Sequence, residues 1–347
     1  MFSNAKVFNQ DIGSWDVSNV TDMGWMFNNA AAFNQNIGSW DVSKVTDMCF
    51  MFNNAAAFNQ NIGSWDVSSV TTMYYMFNKA AAFDQNIGAW NVSSVSNMEK
   101  MFNEAIAFDQ NIGNWDVSKV TNMAYMLNGA AAFNQNIGSW DVSSVTNMYY
   151  MFNGAAAFNQ DISTWDVSSV TNMQKMFTNA SSFDQDISTW DVSKVNNMIQ
   201  MFDGVTLSTA NYNKLLIGWA AQTVKNGVEF SGGNSQYSAD AAADARAVLT
   251  GTYGWIITDG GIATAISSTL ADNMGVYPNP FQNVINISNA NNASHLVITN
   301  LLGKVVITAD LSQASNQTIE TDLPSGIYLV TIIANDGSKA LRKMIRD

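Results

Sequence analysis

Cysteine, proline, histidine and arginine are all scarce in this chain, and each scarcity narrows what it can be. The single cysteine, Cys49, rules out an intrachain disulfide and leaves the redox compartment unread. The three prolines, Pro278, Pro280 and Pro324, and the one histidine, His295, all lie beyond residue 276. Charged residues make up 12% of the 347, about half the usual share. Residues 1–205 hold 7 lysines, no arginine and 18 acids, a net charge of −11, and the first arginine is Arg246. Such a surface cannot neutralise phosphates, so nucleic acid and anionic membranes are poor partners. No apolar run approaches the ~20 residues that span a bilayer, which argues against a transmembrane segment. Residues 1–30 lack the basic stretch and apolar core of an export signal.

What the chain has in abundance is repetition. Trp15, Trp40, Trp65, Trp90, Trp115, Trp140, Trp165 and Trp190 stand 25 residues apart, and Phe8, Ile12, Val17, Val20, Met23, Met26, Phe27 and Ala30 recur in step with them. A strict period of this length predicts stacked units, each too small to bury its own apolar face, and hence a solenoid of eight full repeats over 1–205. Met1 and Phe2 fall on the repeat positions of Met26 and Phe27, so the start is expected to be truncated within a repeat, any export signal lost with it. Within one unit, Trp15 and Val17 alternate as in a short strand. Val20, Met23, Met26, Phe27 and Ala30 are spaced like the inner stripe of a three-turn helix, with Ser18 as N-cap. Strands stack at ~4.8 Å and helices at ~8–10 Å, so a curved α/β array is expected, strands inside. The 16 methionines of the repeats read as core filling.

Residues 206–260 lose the period and read as a capping segment. A helix is expected over 207–221 with Ser208 or Thr209 as its cap, a strand over 228–230, an Ala-rich helix over 238–249 and a last strand over 254–258. Residues 261–275 read as a linker. Residues 276–347 carry short alternating stretches at 284–287, 295–299, 304–307, 326–333 and 339–345, which suit a small β-sandwich of six or seven strands.

The segment Val276-Tyr277-Pro278-Asn279-Pro280-Phe281, then Leu301-Leu302-Gly303-Lys304 and Gly326-Ile327-Tyr328 near the end, resembles a type A C-terminal sorting domain of the type IX secretion system. The repeats, with Trp-Asp-Val-Ser and Met-Phe at fixed positions, resemble BspA-like surface-protein repeats, a relative of leucine-rich repeats. These resemblances imply a secreted or surface-displayed protein of a Bacteroidota-type bacterium. They further imply the type IX machinery as a partner of the tail, with Tyr277, Pro278, Asn279, Pro280, Gly303, Lys304, Gly326 and Tyr328 as its motif residues. Several such proteins are adhesins, so a host or matrix protein or a glycan is a further expected partner.

Catalysis, a cofactor and a metal are not expected, because every polar feature is repeated where a catalytic group would be singular. Cys49 has no activating neighbour in its repeat, and His295 sits on an alternating stretch. Asp16, Asp41, Asp66, Asp116, Asp141, Asp166 and Asp191 form a column that could take calcium or cap turns. Asn91 keeps the acceptor without the charge, which favours turns. Turning the expected helix by 100° per residue places Trp25 opposite the core stripe. That position reads Trp25, Phe50, Tyr75, Lys100, Tyr125, Tyr150, Lys175 and Gln200. Its five rings, Trp25, Phe50, Tyr75, Tyr125 and Tyr150, are the candidate ligand-binding residues, suited to sugar rings or to another protein. A structural spacer that binds nothing, or a calcium-dependent glycan module, is the alternative.

Overall fold

In the computed structural model the chain divides into two compact units, Met1–Ile262 and Ala263–Asp347. The structure describes residues 1–263, 274–290, 293–311, 316–335 and 339–347. The expected linker falls largely outside them.

In the first unit each 25-residue repeat pairs in parallel register with the next. Bridges join Asp22 to Asp47, Asp47 to Thr72, and so on to Asn172 and Asn197. The expected helix is absent: residues 20–30 are a run of turns, and so are their copies. Alternate amides go separate ways. Those of Met23, Trp25, Phe27 and Asn29 donate to the carbonyls of Asp47, Cys49, Met51 and Asn53 in the next repeat, at 2.7–2.9 Å. Those of Met26, Asn28 and Ala30 donate three residues back, to Met23, Trp25 and Phe27. An α-helix would send all of them four residues back and leave nothing for the neighbour. The turns do so because Trp25 and Asn29 adopt the left-handed conformation, with φ of 60° and 58°.

The strand expected at Trp15 and Val17 is absent too: residues 15–17 are irregular between turns at 13–14 and 18–19, and the bridges between repeats lie at Asp22 instead. Ser18 caps no helix; its hydroxyl donates to Asp16 at 2.6 Å. With the helices goes the width mismatch from which curvature was expected.

The apolar stripe is nonetheless buried. Met73, Met76, Phe77, Ala80, Phe83, Ile87 and their copies from Ile37 onward are buried and merge into one core, against which the first-repeat copies Phe8 and Met26 pack partly buried. From Trp40 onward each repeat tryptophan ties its layer to the one before, while Trp15 at the start is exposed. Trp40 Nε1 donates to the Ile12 carbonyl at 3.2 Å, Trp65 to Ile37, and so on to Trp190 and Ile162 at 3.0 Å. Such a bond between buried groups contributes about 1 kcal/mol and costs more if broken. A buried column of amides runs beside the rings: Asn53 donates to Asn28, Asn78 to Asn53, Asn103 to Asn78 and Asn128 to Asn103.

The stack ends on α1 (Thr209–Ala220), β1 (Glu229–Ser231), α2 (Ala241–Gly251) and β2 (Ile256–Thr258). Ser208 caps α1 by accepting from the Asn211 amide. Trp219 on α1 donates to the Ile187 carbonyl at 3.3 Å, which continues the tryptophan bonds one step further. Phe230 on β1 bridges to Met198, and β2 pairs in parallel with β1. Arg246 on α2 meets Asp259 at 2.8 Å, and Asp259 also accepts from the Tyr212 hydroxyl. Desolvation by burial pushes the Tyr212 phenol up, and Asp259 adds to the shift.

In the second unit, β3 (Gly275–Tyr277), β4 (Val284–Ser288) and β7 (Gln317–Glu320) form one antiparallel sheet in the order β3-β4-β7. The strands β5 (Ala293–Asn300), β6 (Val305–Asp310), β8 (Gly326–Ala334) and β9 (Lys339–Arg346) form a second, in the order β6-β5-β8-β9. Ile285 and Ile287 of the first sheet share a core with Leu296, Ile298, Val330, Ile332 and Met344 of the second.

Candidate functional site

The position of Trp25 is set by the turn before it. Asp22 accepts from the Gly24 amide at 2.8 Å, Asp47 from Cys49, Asn97 from Glu99, Asn122 from Ala124 and Asn147 from Tyr149. This side-chain turn ends in a left-handed residue, and all eight members of the column from Trp25 to Gln200 have φ between 54° and 60°. Parallel pairing then brings successive side chains into register. Trp25 stacks on Phe50 at 3.8 Å, Phe50 on Tyr75 at 4.4 Å and Tyr125 on Tyr150 at 4.7 Å. Lys100 fills the gap, its ammonium 4.7 Å from the Tyr75 ring and 4.6 Å from that of Tyr125, and it donates to the Tyr75 hydroxyl. Lys175 lies 5.0 Å from the Tyr150 ring.

All five candidate rings therefore belong to one ladder, interrupted only by a cation. Trp25 is 46% exposed, and Phe50, Tyr75, Tyr125 and Tyr150 are half-buried, each covered on its faces by neighbouring rungs. What the inner rungs offer outward is ring edges, phenol hydroxyls and ammonium groups rather than open faces. A hydrogen bond to Tyr150 holds Lys175 protonated above the ordinary lysine range. Burial pushes the Tyr125 phenol up, so it stays a neutral donor.

A second column shares the left-handed conformation and serves as an internal control. It reads Asn29, Asn54, Lys79, Glu104, Gly129, Gly154, Asn179 and Gly204. Asn and Gly tolerate this conformation, whereas other residues lose roughly 1–2 kcal/mol in it. In the ring column that cost falls on Trp, Phe, Tyr and Lys. Ring stacking returns about 0.5–1.5 kcal/mol per pair, so stability alone does not account for the choice.

The Asp column lies elsewhere on the repeat. Asp16, Asp41, Asp116 and Asp141 each accept both the hydroxyl and the amide of the serine two residues on. Asp66, Asp166 and Asp191 accept the amide, as does Asn91. This is the turn role. Cys49 is buried, and desolvation pushes its thiol up to about 11, so it is protonated at neutral pH. His295 lies on β5 with its Nδ1 3.0 Å from the Ser294 hydroxyl.

In the second unit the motif residues divide. Asn279 ties the first strand to the last by donating to the Lys343 carbonyl at 3.1 Å and accepting from the Ile345 amide at 2.9 Å. Tyr277 is exposed, and Pro278 and Pro280 flank Asn279. Gly303, with φ of 79°, makes the turn from β5 to β6, and the Lys304 amide donates to Asn300 beside it. Gly326 starts β8 with room for a Cβ, so sterics do not demand glycine there. The Tyr328 hydroxyl donates to the Pro324 carbonyl at 2.8 Å.

A family described as "Mycoplasma protein of unknown function, DUF285" matches residues 1–115 and 107–219. A second, described as "Secretion system C-terminal sorting domain", matches residues 275–346. No curated protein matches the chain. The sorting domain marks a secreted or cell-surface protein exported by the type IX secretion system, whose machinery is the tail's partner. No helix among the described residues is long and apolar enough to cross a membrane.

Proposed function

We propose, for a chain that belongs to the DUF285 family through residues 1–219 and ends in a secretion system sorting domain, that the exported repeat unit is an adhesion or recognition protein. In this reading the stacked repeats are a solenoid, related to the leucine-rich BspA-like repeats, that displays its ladder outside the cell. The sorting tail serves delivery and the repeats serve contact. The observation that carries the reading is the column from Trp25 to Gln200. Its left-handed backbone favours glycine or asparagine, yet it holds rings and lysines throughout most of its length. Half-buried aromatic groups with polar tips are the usual anchors of a recognition surface.

The experiment replaces Trp25, Phe50, Tyr75, Tyr125 and Tyr150 by Asn, which suits the left-handed backbone. Wild type and variant are then screened against glycan arrays and immobilised matrix proteins. Binding by the wild type, lost in a variant whose tryptophan circular dichroism is unchanged, is the expected result. A variant that retains the wild-type binding profile would refute the ladder as the contact surface.

A further inference from the structure

The second unit exposes apolar side chains where a turn ordinarily carries polar ones. Between β5 and β6, Leu301 is 66% exposed, Leu302 92% and Val305 53%, and none of them joins the core. Turns favour Asn, Asp, Ser and Gly. Isolated exposed leucines are commonplace, but three apolar residues among five on one tip form a patch. The tip is also rigid. Asn300 Oδ1 accepts from the Leu302 and Lys304 amides, each at 3.0 Å, and the Asn300 amide donates to the Lys304 carbonyl at 3.0 Å. The Gly303 amide closes the turn on the Asn300 carbonyl at 2.9 Å. None of these bonds uses a leucine side chain, so the turn would form equally with polar residues in their place.

Strand register gathers other motif segments at the same end of the sheet. Asn300 lies opposite Tyr328, Tyr328 opposite Met344, and Gly326 opposite Arg346. Phe281 bridges to Arg346, and Asn279 bonds to Lys343 and Ile345. Segments 279–281, 301–304 and 326–328, far apart in sequence, thus meet where β5 and β9 end and β8 begins. Charge there is one-sided: residues 276–309 hold one lysine, Lys304 on the tip, and no acid.

We propose that the Leu301–Leu302 tip is the contact by which the tail docks on the type IX machinery, entering an apolar groove whose acidic rim takes Lys304. The sorting domain supplies the partner, and the exposed tip supplies the contact. A preorganised tip loses little conformational freedom on docking. Burying one such leucine strengthens binding about ten- to a hundredfold. Docking of this kind is independent of whatever the repeats bind.

The test is export of the full chain from a type IX-competent cell, measured as the ratio of protein outside the cell to protein retained. Leu301→Ser combined with Leu302→Asn suits the turn and should lower that ratio at least about tenfold. Lys304→Glu should lower it as well, because it sets like charges against the acidic rim. Leu302→Met keeps the apolar contact and should be exported as wild type. All three variants, purified from the cells, should melt within about 2 °C of wild type. Wild-type export of the double variant or of Lys304→Glu overturns the inference. So does a loss in Leu302→Met as large as in the double variant, which would make the turn rather than the apolar contact decisive. A lower melting temperature of the repeats in the double variant would place the tip against the first unit. A changed oligomeric state by light scattering would make it a contact between copies. Either result removes the docking role.

Discussion

At the scale of single residues, the fold depends on polar groups that have no water to fall back on. Asn78 is 6% exposed; its amide nitrogen donates to Asn53 and its oxygen accepts from Asn103 at 2.5 Å. Asn78→Ala would leave an acceptor on one side and a donor on the other without a partner. Each costs about 1–3 kcal/mol when buried, so a loss of about 2–6 kcal/mol is expected in urea unfolding, with the slope unchanged. A loss under about 0.5 kcal/mol would show that the amide column carries no weight. The residue scale also separates two kinds of left-handed position. At Asn29 and its copies, Lys79 and Glu104 excepted, the sequence follows backbone preference, and at Trp25 and its copies it goes against it.

At the scale of the element, the repeated unit is a set of turns whose stability comes from its neighbours. The Asp column shows how this couples to pH. A hydrogen bond from the serine hydroxyl, then one from the serine amide, holds Asp16, Asp41, Asp66, Asp116 and Asp166 below the usual carboxylate range. Because the folded value is the lower one, the unfolded chain takes up protons first as pH falls. The contribution is therefore fully present at neutral pH and is lost as pH drops through the folded values. Melting temperature should stay level toward pH 5 and fall below about pH 4. A variant with Asn at all five positions, as at Asn91, should flatten that fall. An equal acid response in the variant would assign it to other carboxylates. The helix expected over residues 20–30 failed at this scale. The 3-3-1-3 spacing of Val20, Met23, Met26, Phe27 and Ala30 is shared by a helix and by this turn series. The recurring Asn and Gly at position 29 were the available signal for a left-handed turn inside the segment.

At the scale of the whole molecule, the two units have separate cores, and the second carries the sorting domain. Deleting residues 263–347 should leave the melting temperature of residues 1–262 within about 2 °C by calorimetry, because their core is closed without the tail. The same deletion should keep the protein from appearing outside the cell, measured by fractionation. A large destabilisation would show that the tail also supports the repeats. The end of the stack is protected within the first unit, where Trp219 and Phe230 continue the bonds and bridges of the repeats.

The sequence by itself determined the period, the buried side chains and the identity of the tail. These follow from residue spacing and from motifs whose chemistry is local. It also singled out Trp25, Phe50, Tyr75, Tyr125 and Tyr150, since their column alone varied among rings while the core stayed constant. Tertiary structure decided the path of the backbone between Asp22 and Ala30. The choice between helix and turns depends on whether amides bond within the unit or to the next one, and a single repeat contains no partner to settle that. Tertiary structure also decided that the rings stack on one another and frame two lysines. Their contact is a product of inter-repeat register, which exists only once the layers are assembled.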